Sequence, residues 1–192
     1  DNFVDLFAVR STDVKQKLGY TSWDDFFTRK FKPGIRPVAS PDDDDVIANA
    51  CESVAHDVPL KAKFWIKGQP YSLIDLLHND PWTSKFEGGT LYQAFLTSTA
   101  TRAVIFIQAD NPKIGLMCFV AVGMGDVSNN EITVRIGQHV NKGDQLGMFH
   151  FGGSTHVLLF RPEVKLDFDM HGQTPGLDTT NIKVREAIAH VE

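Results

Sequence analysis

From Gln145 to Phe160 the sequence reads QLGMFHFGGSTHVLLF, and this segment gives the strongest indication of the fold. Two apolar runs of strand length are divided here by two glycines and a serine. A pair of glycines weakens the interior of a strand, so a hairpin turn or a β-bulge is the ordinary explanation for it. Taken alone, Gly152-Gly153-Ser154 predicts two strands with a break between them and indicates no chemistry.

The same alternation of apolar runs and turn residues continues on both sides of this stretch. Strand-like runs cover residues 103–108, 114–122, 131–136, 145–151, 154–160 and 164–168. Helical spacing occurs before residue 32 and at residues 72–78, where Ser72 is a plausible N-cap. We therefore predict an α+β fold that is mainly β, with short N-terminal helices and an antiparallel β-sandwich or barrel-like core, in a single domain of residues 1–192.

Composition and charge narrow the functional class. The chain is 42% hydrophobic and carries a net charge of −5 without a dense cluster of Lys or Arg, so nucleic acid is not an expected partner. No apolar run is long enough to span a bilayer, and we expect a cytoplasmic protein whose N-terminus is a trimmed boundary.

Cys51 and Cys118 form no metal or disulfide pattern and are predicted to be buried thiols. The acidic run Asp42–Asp45 is predicted to be a solvated loop, so no metal site is expected.

Several segments, in the same order along the chain, resemble the phosphatidylserine decarboxylase family. They are residues 24–37, Tyr71-Ser72-Leu73 with Leu76-Leu77, Phe86 with Gly88-Gly89, and residues 140–155. In that family the serine of the Gly-Ser-Thr motif is where a proenzyme cleaves itself, so the resemblance implies cleavage between Gly153 and Ser154. It also implies that Ser154 becomes a covalently bound pyruvoyl group, a cofactor that accepts electrons when an amine-bearing substrate loses carbon dioxide.

The residue types at this break suit that reaction. The Ser154 hydroxyl can attack the Gly153 carbonyl and turn the amide into an ester, which is eliminated when a base removes the Ser154 α-proton. Glycine on the acyl side leaves the carbonyl open and tolerates a strained geometry that a Cβ would oppose. The cofactor would then come from the chain itself, in agreement with the lack of a dinucleotide or P-loop motif.

One segment of the family is missing. Its members carry a histidine-rich stretch similar to H-R-x-H-x-P-V, which supplies the expected base, whereas here residues 95–100 run directly into Thr101. Either the protein lacks this stretch, or the numbering closes over residues that are absent between Ala100 and Thr101. We expect the second explanation because both flanks are intact, and it predicts a Cα separation far above the 3.8 Å of a continuous chain.

Two residues are candidates to assist the chemistry. The family has an aspartate that orients the histidine, and Cys51 stands in its place with Glu52 beside it. By the logic of a catalytic triad, the resemblance allows Glu52 to hold a base in the required tautomer. His150 lies four residues before Ser154 and could approach the pyruvoyl group if the chain bends at the glycines. His139 is predicted to be a turn residue and His156 a strand side chain.

The likeness is greatest to the fungal tryptophan-decarboxylase branch of the family. It is carried by Ala50-Cys51-Glu52-Ser53, Asn79-Asp80-Pro81 and residues 108–111 and 147–150. The resemblance therefore implies a free aromatic L-amino acid such as tryptophan as substrate. The alternative is phosphatidylserine, converted to phosphatidylethanolamine, and only this alternative requires contact with a membrane. A homodimer of cleaved chains is left open.

Two non-decarboxylase functions are also left open. Residues 137–147 resemble the turn-rich hairpin of lipoyl or biotinyl carrier domains, but Lys142 lies in a tight Asn-Lys-Gly-Asp turn rather than at an exposed tip. The chain could also be an inactive relative that serves as a binding module. The intact Gly153-Ser154 pair argues against this, and the missing histidines argue for it.

Overall fold

The computed structural model describes residues 2–59, 64–66, 69–94, 101–123, 129–150, 155–174, 176 and 179–192. Its helices are short, and they are α1 (Phe3–Leu6), α2 (Trp23–Phe27) and α3 (Leu73–Leu76), with 3-10 helices at Val14–Gly19 and Thr83–Phe86. Its strands are β1 (Val46–Ala48), β2 (Ala55–Pro59), β3 (Phe64–Ile66), β4 (Gln69–Tyr71), β5 (Thr90–Ala94), β6 (Arg102–Gln108), β7 (Leu116–Val122), β8 (Asn130–Ile132), β9 (Gly147–Phe149), β10 (Thr155–Phe160), β11 (Leu166–Phe168) and β12 (Ala187–Val191).

These strands form two main antiparallel sheets. The larger has the order β2-β5-β10-β7-β6, and the smaller has the order β1-β12-β11. Two hairpins, β3-β4 and β8-β9, form separate two-stranded sheets. The prediction of a mainly β, antiparallel α+β fold is confirmed, and the sheets in the described part of the chain do not close into a barrel.

The helices begin where the sequence provides caps. The Ser22 hydroxyl accepts a hydrogen bond from the Asp25 amide at the start of α2. Ser72 and Asp75 form a reciprocal capping box at the start of α3. The prediction that helix is concentrated before residue 32 and around residues 72–78 is confirmed.

The large sheet is covered on both faces. One face carries Tyr92, Phe119 and Leu158, which pack with Ile47 and Ile188 of the small sheet. The other face packs against α3 and the 3-10 helix Thr83–Phe86; its buried members are Leu73, Leu76, Leu77, Phe86, Leu91, Cys118, Val120, Val122, Val157 and Leu159. The cysteine prediction is confirmed for Cys118, which is fully buried, while Cys51 is half-buried.

Strand β10 lies at the centre of the large sheet. It pairs with β5 on one side and β7 on the other, and all six of its residues are buried. Because both of its faces are covered, the strand reads as a continuous apolar run instead of an alternating one. The strand predicted at residues 154–160 is thus the central strand of the larger sheet.

The strand predicted at residues 131–136 is shorter in the structure. Strand β8 ends at Ile132, and the chain turns at Arg135, whose carbonyl accepts a hydrogen bond from the Gln138 amide. Ile136 is fully exposed, so its apolar side chain does not mark a buried strand. Periodicity alone cannot separate an apolar turn residue from a strand residue.

One glycine of the family-like segment has a clear steric role. Strand β9 begins at Gly147, opposite Ile132 of β8. A Cβ at Gly147 would overlap the carbonyl oxygen of Glu131. The close pairing of this hairpin, which leads the chain into the Gly-Gly-Ser segment, therefore requires glycine.

Within the described residues, no helix is both long enough and apolar enough to cross a bilayer.

Candidate active site

The predicted cleavage point lies, along the chain, between strands β9 and β10. Strand β9 ends at Phe149, His150 follows it, and β10 begins at Thr155. Gly153 and Ser154 themselves lie outside the described residues. The surroundings of the site are therefore defined by His150 on one side and by the start of β10 on the other.

His150 connects two elements of the protein. Its Nδ1 lies 2.7 Å from an Asp24 carboxylate oxygen of α2, and its Nε2 lies 3.0 Å from a Glu131 carboxylate oxygen of β8. These hydrogen bonds, to Asp24 first and to Glu131 second, raise the pKa of His150 above its usual value. With a carboxylate at each nitrogen, the charged form of the imidazole, in which both N–H groups donate, is favoured.

Glu52 pairs with an arginine. Its two carboxylate oxygens accept hydrogen bonds of 2.8 and 3.0 Å from Nη2 and Nε of Arg36, a bidentate ion pair. The Arg36 guanidinium also lies over the ring of Phe31, 4.4 Å from its centroid. The structure thus places Glu52 where it fixes the loop after β1 to the segment that follows the N-terminal helices.

His156 has an environment that sequence reasoning missed. It lies in β10 as predicted, but it is only 1% exposed, and within the described residues neither ring nitrogen has a hydrogen-bond partner. Burial lowers the pKa of His156 to about 4. The sequence signal was present, since an imidazole interrupts an otherwise apolar central strand two positions after Ser154.

Other buried polar atoms lie in the core of the protein. Burial raises the pKa of Tyr92 to about 12, and the Ser53 hydroxyl opposes part of that rise. The Thr155 hydroxyl and the Asn49 side-chain oxygen are buried without a hydrogen-bond partner in the described part of the chain. Burial also raises the pKa of Cys51 to about 12, so the residue that replaces the family's aspartate is a neutral thiol.

A wide groove runs along the edge of the large sheet beside these residues. Its volume is about 1920 Å³, and it lies between residues 27–34, the loop after β1, strand β6 and the β8–β9 hairpin. Its floor includes Phe119, Ala121 and Leu158 of the large sheet, with Cys51 at one side. The groove is larger than the 300–1,000 Å³ that is typical of a small-molecule site.

Asp45, the last residue of the acidic run Asp42–Asp45, forms hydrogen bonds with side chains from a distant part of the chain. Asp45 accepts hydrogen bonds of 2.7 Å from both Lys113 and Asn111. Asp43, Asp45 and His190 each offer a ligand atom within 4.8 Å of the others. Lys113 and Asn111 already occupy the Asp45 carboxylate, so this cluster has a structural explanation without a metal ion.

Comparison with known proteins identifies the family. The family model described as phosphatidylserine decarboxylase matches residues 23–100 and 96–190. The chain belongs to the phosphatidylserine decarboxylase family. This membership confirms the resemblance carried by the Gly-Gly-Ser-Thr segment and its neighbours.

Curated relatives within the family include fungal decarboxylases. The chain is 39% identical to decarboxylase iboD of Amanita muscaria, over 78% of this chain and 61% of the relative. It is 36% identical to the L-tryptophan decarboxylase of Psilocybe cyanescens, over 90% of this chain and 53% of the relative. It is 28% identical to phosphatidylserine decarboxylase proenzyme 3 of Schizosaccharomyces pombe, over 97% of this chain and 24% of the relative. The chain therefore spans about half to three fifths of the length of the two fungal decarboxylases.

The comparisons also bear on the missing segment. The family match is divided into two stretches that meet at residues 96–100, where the histidine-rich stretch is expected. The alignment with the Amanita decarboxylase runs over 213 positions, more than the 192 residues of this chain, so the relative holds residues that the chain lacks. The expectation that residues are absent between Ala100 and Thr101 stays a prediction, because residues 95–100 lie outside the described part of the chain. The predicted Ala100–Thr101 distance lies outside the described residues.

Two buried polar side chains lie at the start of β10. Among the described residues, the Thr155 hydroxyl and the two ring nitrogens of His156 have no hydrogen-bond partner. Such atoms cost free energy unless a group that is formed or bound there satisfies them. The residues present are therefore compatible with a carbonyl-bearing group at the start of β10.

Proposed function

We propose that this chain is a pyruvoyl-dependent decarboxylase that cleaves itself between Gly153 and Ser154 and acts on a free aromatic L-amino acid such as tryptophan. The observation that carries the proposal is the retention of Gly-Gly-Ser-Thr in a chain that is 36% identical to an L-tryptophan decarboxylase over 90% of its length. The same chain is 28% identical to a phosphatidylserine decarboxylase proenzyme. The higher identity to the tryptophan decarboxylase favours a free amino acid over phosphatidylserine as the proposed substrate.

In this proposal the Gly153–Ser154 bond lies, along the chain, between a hairpin and the central strand of the large sheet. The β8–β9 hairpin and the hydrogen bonds of His150 fix the chain up to His150, and the pairing of β10 with β5 and β7 fixes it from Thr155 onward. Attack of the serine hydroxyl on the carbonyl of the preceding residue is intramolecular, which favours it over a reaction between separate molecules. When formed, the pyruvoyl group supplies the electron sink for decarboxylation.

The groove gives the substrate a place to bind. Its floor of Phe119, Leu158 and Ala121 is apolar and partly aromatic, which suits an indole or phenyl ring. Glu52 and Arg36 lie at its side, and their mutual pairing leaves no uncompensated charge at that position. The apolar floor favours the aromatic side chain of the substrate over a second charged group, while charged residues such as Arg29, Lys32 and Asp110 line other parts of the groove.

Denaturing mass spectrometry of the purified chain tests the proposal directly. We expect two fragments, residues 1–153 and 154–192, the second with a blocked N-terminus that reacts with carbonyl reagents. The matched control is Ser154→Ala, which has no hydroxyl oxygen to accept the acyl group and should remain a single chain. An intact wild-type chain, or a Ser154→Ala chain that still divides, contradicts the proposal.

A second candidate function is that of an inactive relative that binds a ligand. The observation that favours it is the absence of the family's histidine-rich segment at residues 100–101. In that case the wild-type chain stays intact after prolonged incubation, yet the groove still binds an aromatic amino acid. Isothermal titration with L-tryptophan, performed on the uncleaved chain, separates this function from a complete loss of the site.

A further inference from the structure

Arg185 has a backbone conformation that arginine rarely adopts. It is the third residue of a turn in which the Glu186 amide donates to the Lys183 carbonyl, and its φ is +71°. Glycine is the usual residue at such a position, because a Cβ crowds the left-handed backbone. The turn alone would therefore favour glycine, and the half-buried arginine side chain needs another explanation.

The Arg185 side chain bonds to two distant segments of the chain. Its Nη1 donates to the carbonyl oxygen of Arg36 at 3.2 Å, and its Nη2 donates to the carbonyl oxygen of Gly143 at 2.7 Å. These carbonyls lie 149 and 42 positions away from it in the sequence. A guanidinium holds its N–H groups in a rigid, planar fork, so the two bonds fix the two segments relative to each other.

The Arg185 backbone adds a third segment. Its amide donates to the Asn49 carbonyl at 2.8 Å, and its carbonyl accepts a hydrogen bond of 2.9 Å from the Ala39 amide. Asn49 is the residue after β1 and is buried. Arg185 thus connects the segment of residues 36–39, the loop after β1 and the tight turn Asn141–Asp144.

The three connected segments are walls of the groove. Residues that line it include Arg36, Asn49, Gly143 and Arg185 itself. The Arg36 side chain extends the connection, since it pairs with Glu52 and lies over the ring of Phe31, and both of these residues also line the groove. The positions of several wall residues therefore depend on the contacts of one arginine.

The turn that carries Gly143 packs closely on the segment that faces it. A Cβ at Gly143 would overlap the side chain of Val38. Lys142, the preceding residue, donates through Nζ to the carbonyls of Ser40 and Asp43 at 2.8 and 3.1 Å. The turn is therefore held at two adjacent residues, and the bond from Arg185 links it to the C-terminal part of the chain.

We infer that Arg185 is a positioning residue for substrate binding, because its guanidinium fixes the separation between the Arg36 segment and the Asn141–Asp144 turn and with it the width of the groove. The inference rests on the proposed function for the identity of the ligand, a free aromatic amino acid. Under the proposed cleavage, Arg185 belongs to the C-terminal fragment, whereas Arg36, Asn49 and Gly143 belong to the N-terminal one. A complete groove then requires both fragments.

The first experiment measures release of carbon dioxide from carboxyl-labelled L-tryptophan by the cleaved protein. Arg185→Gly suits the backbone but removes both side-chain hydrogen bonds. KM should rise by at least about tenfold while kcat changes by less than about threefold, because the walls are displaced and the reacting atoms are not. Arg185→Lys keeps the charge without the planar fork, and its KM should rise by at least about fivefold.

The matched control for both variants is Lys183→Ala. It removes a cation from the same turn, at a side chain that is 57% exposed and does not line the groove. Its KM and kcat should stay within about twofold of the wild-type values. A Lys183→Ala chain with the KM of Arg185→Gly would show that the charge of the turn matters instead of the guanidinium contacts, and it overturns the inference.

Amide hydrogen exchange of the ligand-free chain is a second measurement that needs no activity. In the uncleavable Ser154→Ala background, Arg185→Gly should speed exchange of the Ala39 and Asp144 amides by at least about fivefold, because both lie in segments that Arg185 holds. The Val157 amide, in the central strand of the large sheet, is the internal reference and should exchange at an unchanged rate.

The outcomes separate this inference from the proposed function. Unchanged exchange at both amides overturns the positioning role of Arg185, whatever the activity. Faster exchange with an unchanged KM overturns its role in substrate binding and leaves the proposed function standing. A wild-type chain that releases no carbon dioxide from L-tryptophan overturns the proposed function and the role in substrate binding, and the exchange rates still decide the positioning role. Faster exchange together with a raised KM in both Arg185 variants supports the inference.

Discussion

At the scale of single residues, the two histidines that flank the Gly-Gly-Ser segment differ because their surroundings differ. His150 is partly exposed and lies between two carboxylates, which favour its charged form. His156 is enclosed by aromatic rings, and burial disfavours its charged form. The segment between them is therefore preceded by an imidazole whose charged form is favoured, His150, and followed by an imidazole whose neutral form is favoured, His156.

The His150 cation should make stability depend on pH. Its pKa is higher in the folded than in the unfolded state, so its contribution is fully present below the unfolded pKa of about 6.5 and is lost as pH rises through the folded pKa. We expect His150→Gln to lower the melting temperature more at pH 6 than at pH 9. Thermal unfolding of the uncleavable Ser154→Ala background, with and without His150→Gln, measures the difference. An equal effect at both pH values would mean that the imidazole is not held as a cation.

The Arg36–Glu52 pair should matter more than other surface ion pairs. The Arg36 side chain is only 10% exposed and also packs on Phe31, whereas the Lys113 side chain that pairs with Asp45 is 48% exposed. We expect Arg36→Ala to lower the free energy of unfolding by about 1 to 3 kcal/mol, and Lys113→Ala by less than about 1 kcal/mol. Urea unfolding of the two variants tests this order, and a larger loss for Lys113→Ala would contradict it.

At the scale of elements, strand β10 decides how the molecule holds together. It joins β5 to β7 and contributes to the buried clusters on both faces of the large sheet. Its first residue, Thr155, comes one position after Ser154, so the proposed cut between Gly153 and Ser154 would leave the whole strand in the C-terminal fragment. The two fragments are then joined by the ladders of β10 with β5 and β7, and they should remain associated after cleavage.

A core substitution in β10 should be strongly destabilising. Leu159 is fully buried on the helix-covered face of the sheet. Leu159→Ala removes buried apolar volume and should lower the free energy of unfolding by about 2 to 5 kcal/mol. Ile132→Ala, at a residue that is 47% exposed in β8, is the control and should change it by no more than about 0.5 kcal/mol. Chemical denaturation that gave equal effects would show that β10 is not central to the core.

At the scale of the whole molecule, the topology explains how the chain tolerates the loss of an internal segment. The missing stretch lies between β5 and β6, which are separated in the sheet by β10 and β7. Crossing three strand spacings needs roughly 14 Å, and the residues between Ala94 and Arg102 can span well over 20 Å. The residues that this chain has between β5 and β6 are therefore long enough to let the sheet form.

The proposed substrate preference depends on the assembled groove. Under the proposed function, its apolar floor of Phe119, Ala121 and Leu158 receives the aromatic side chain of a free amino acid. We expect cleaved protein to release labelled carbon dioxide from carboxyl-labelled L-tryptophan and not from phosphatidylserine in phospholipid vesicles. The uncleavable Ser154→Ala chain is the blank for both substrates. Release from the vesicles alone would assign the chain to phospholipid synthesis.

The sequence by itself determined the family, the antiparallel strands and the position of the predicted cut, because these follow from local patterns. Strand periodicity, serine caps and the Gly-Gly-Ser-Thr motif are each read within a few residues. The tertiary fold was needed to show that Glu52 pairs with Arg36, that His150 lies between Asp24 and Glu131, and that His156 is buried with no hydrogen-bond partner among the described residues. Asp24 and His150 are 126 positions apart, and no local pattern records which side chains the fold brings together or which it removes from water.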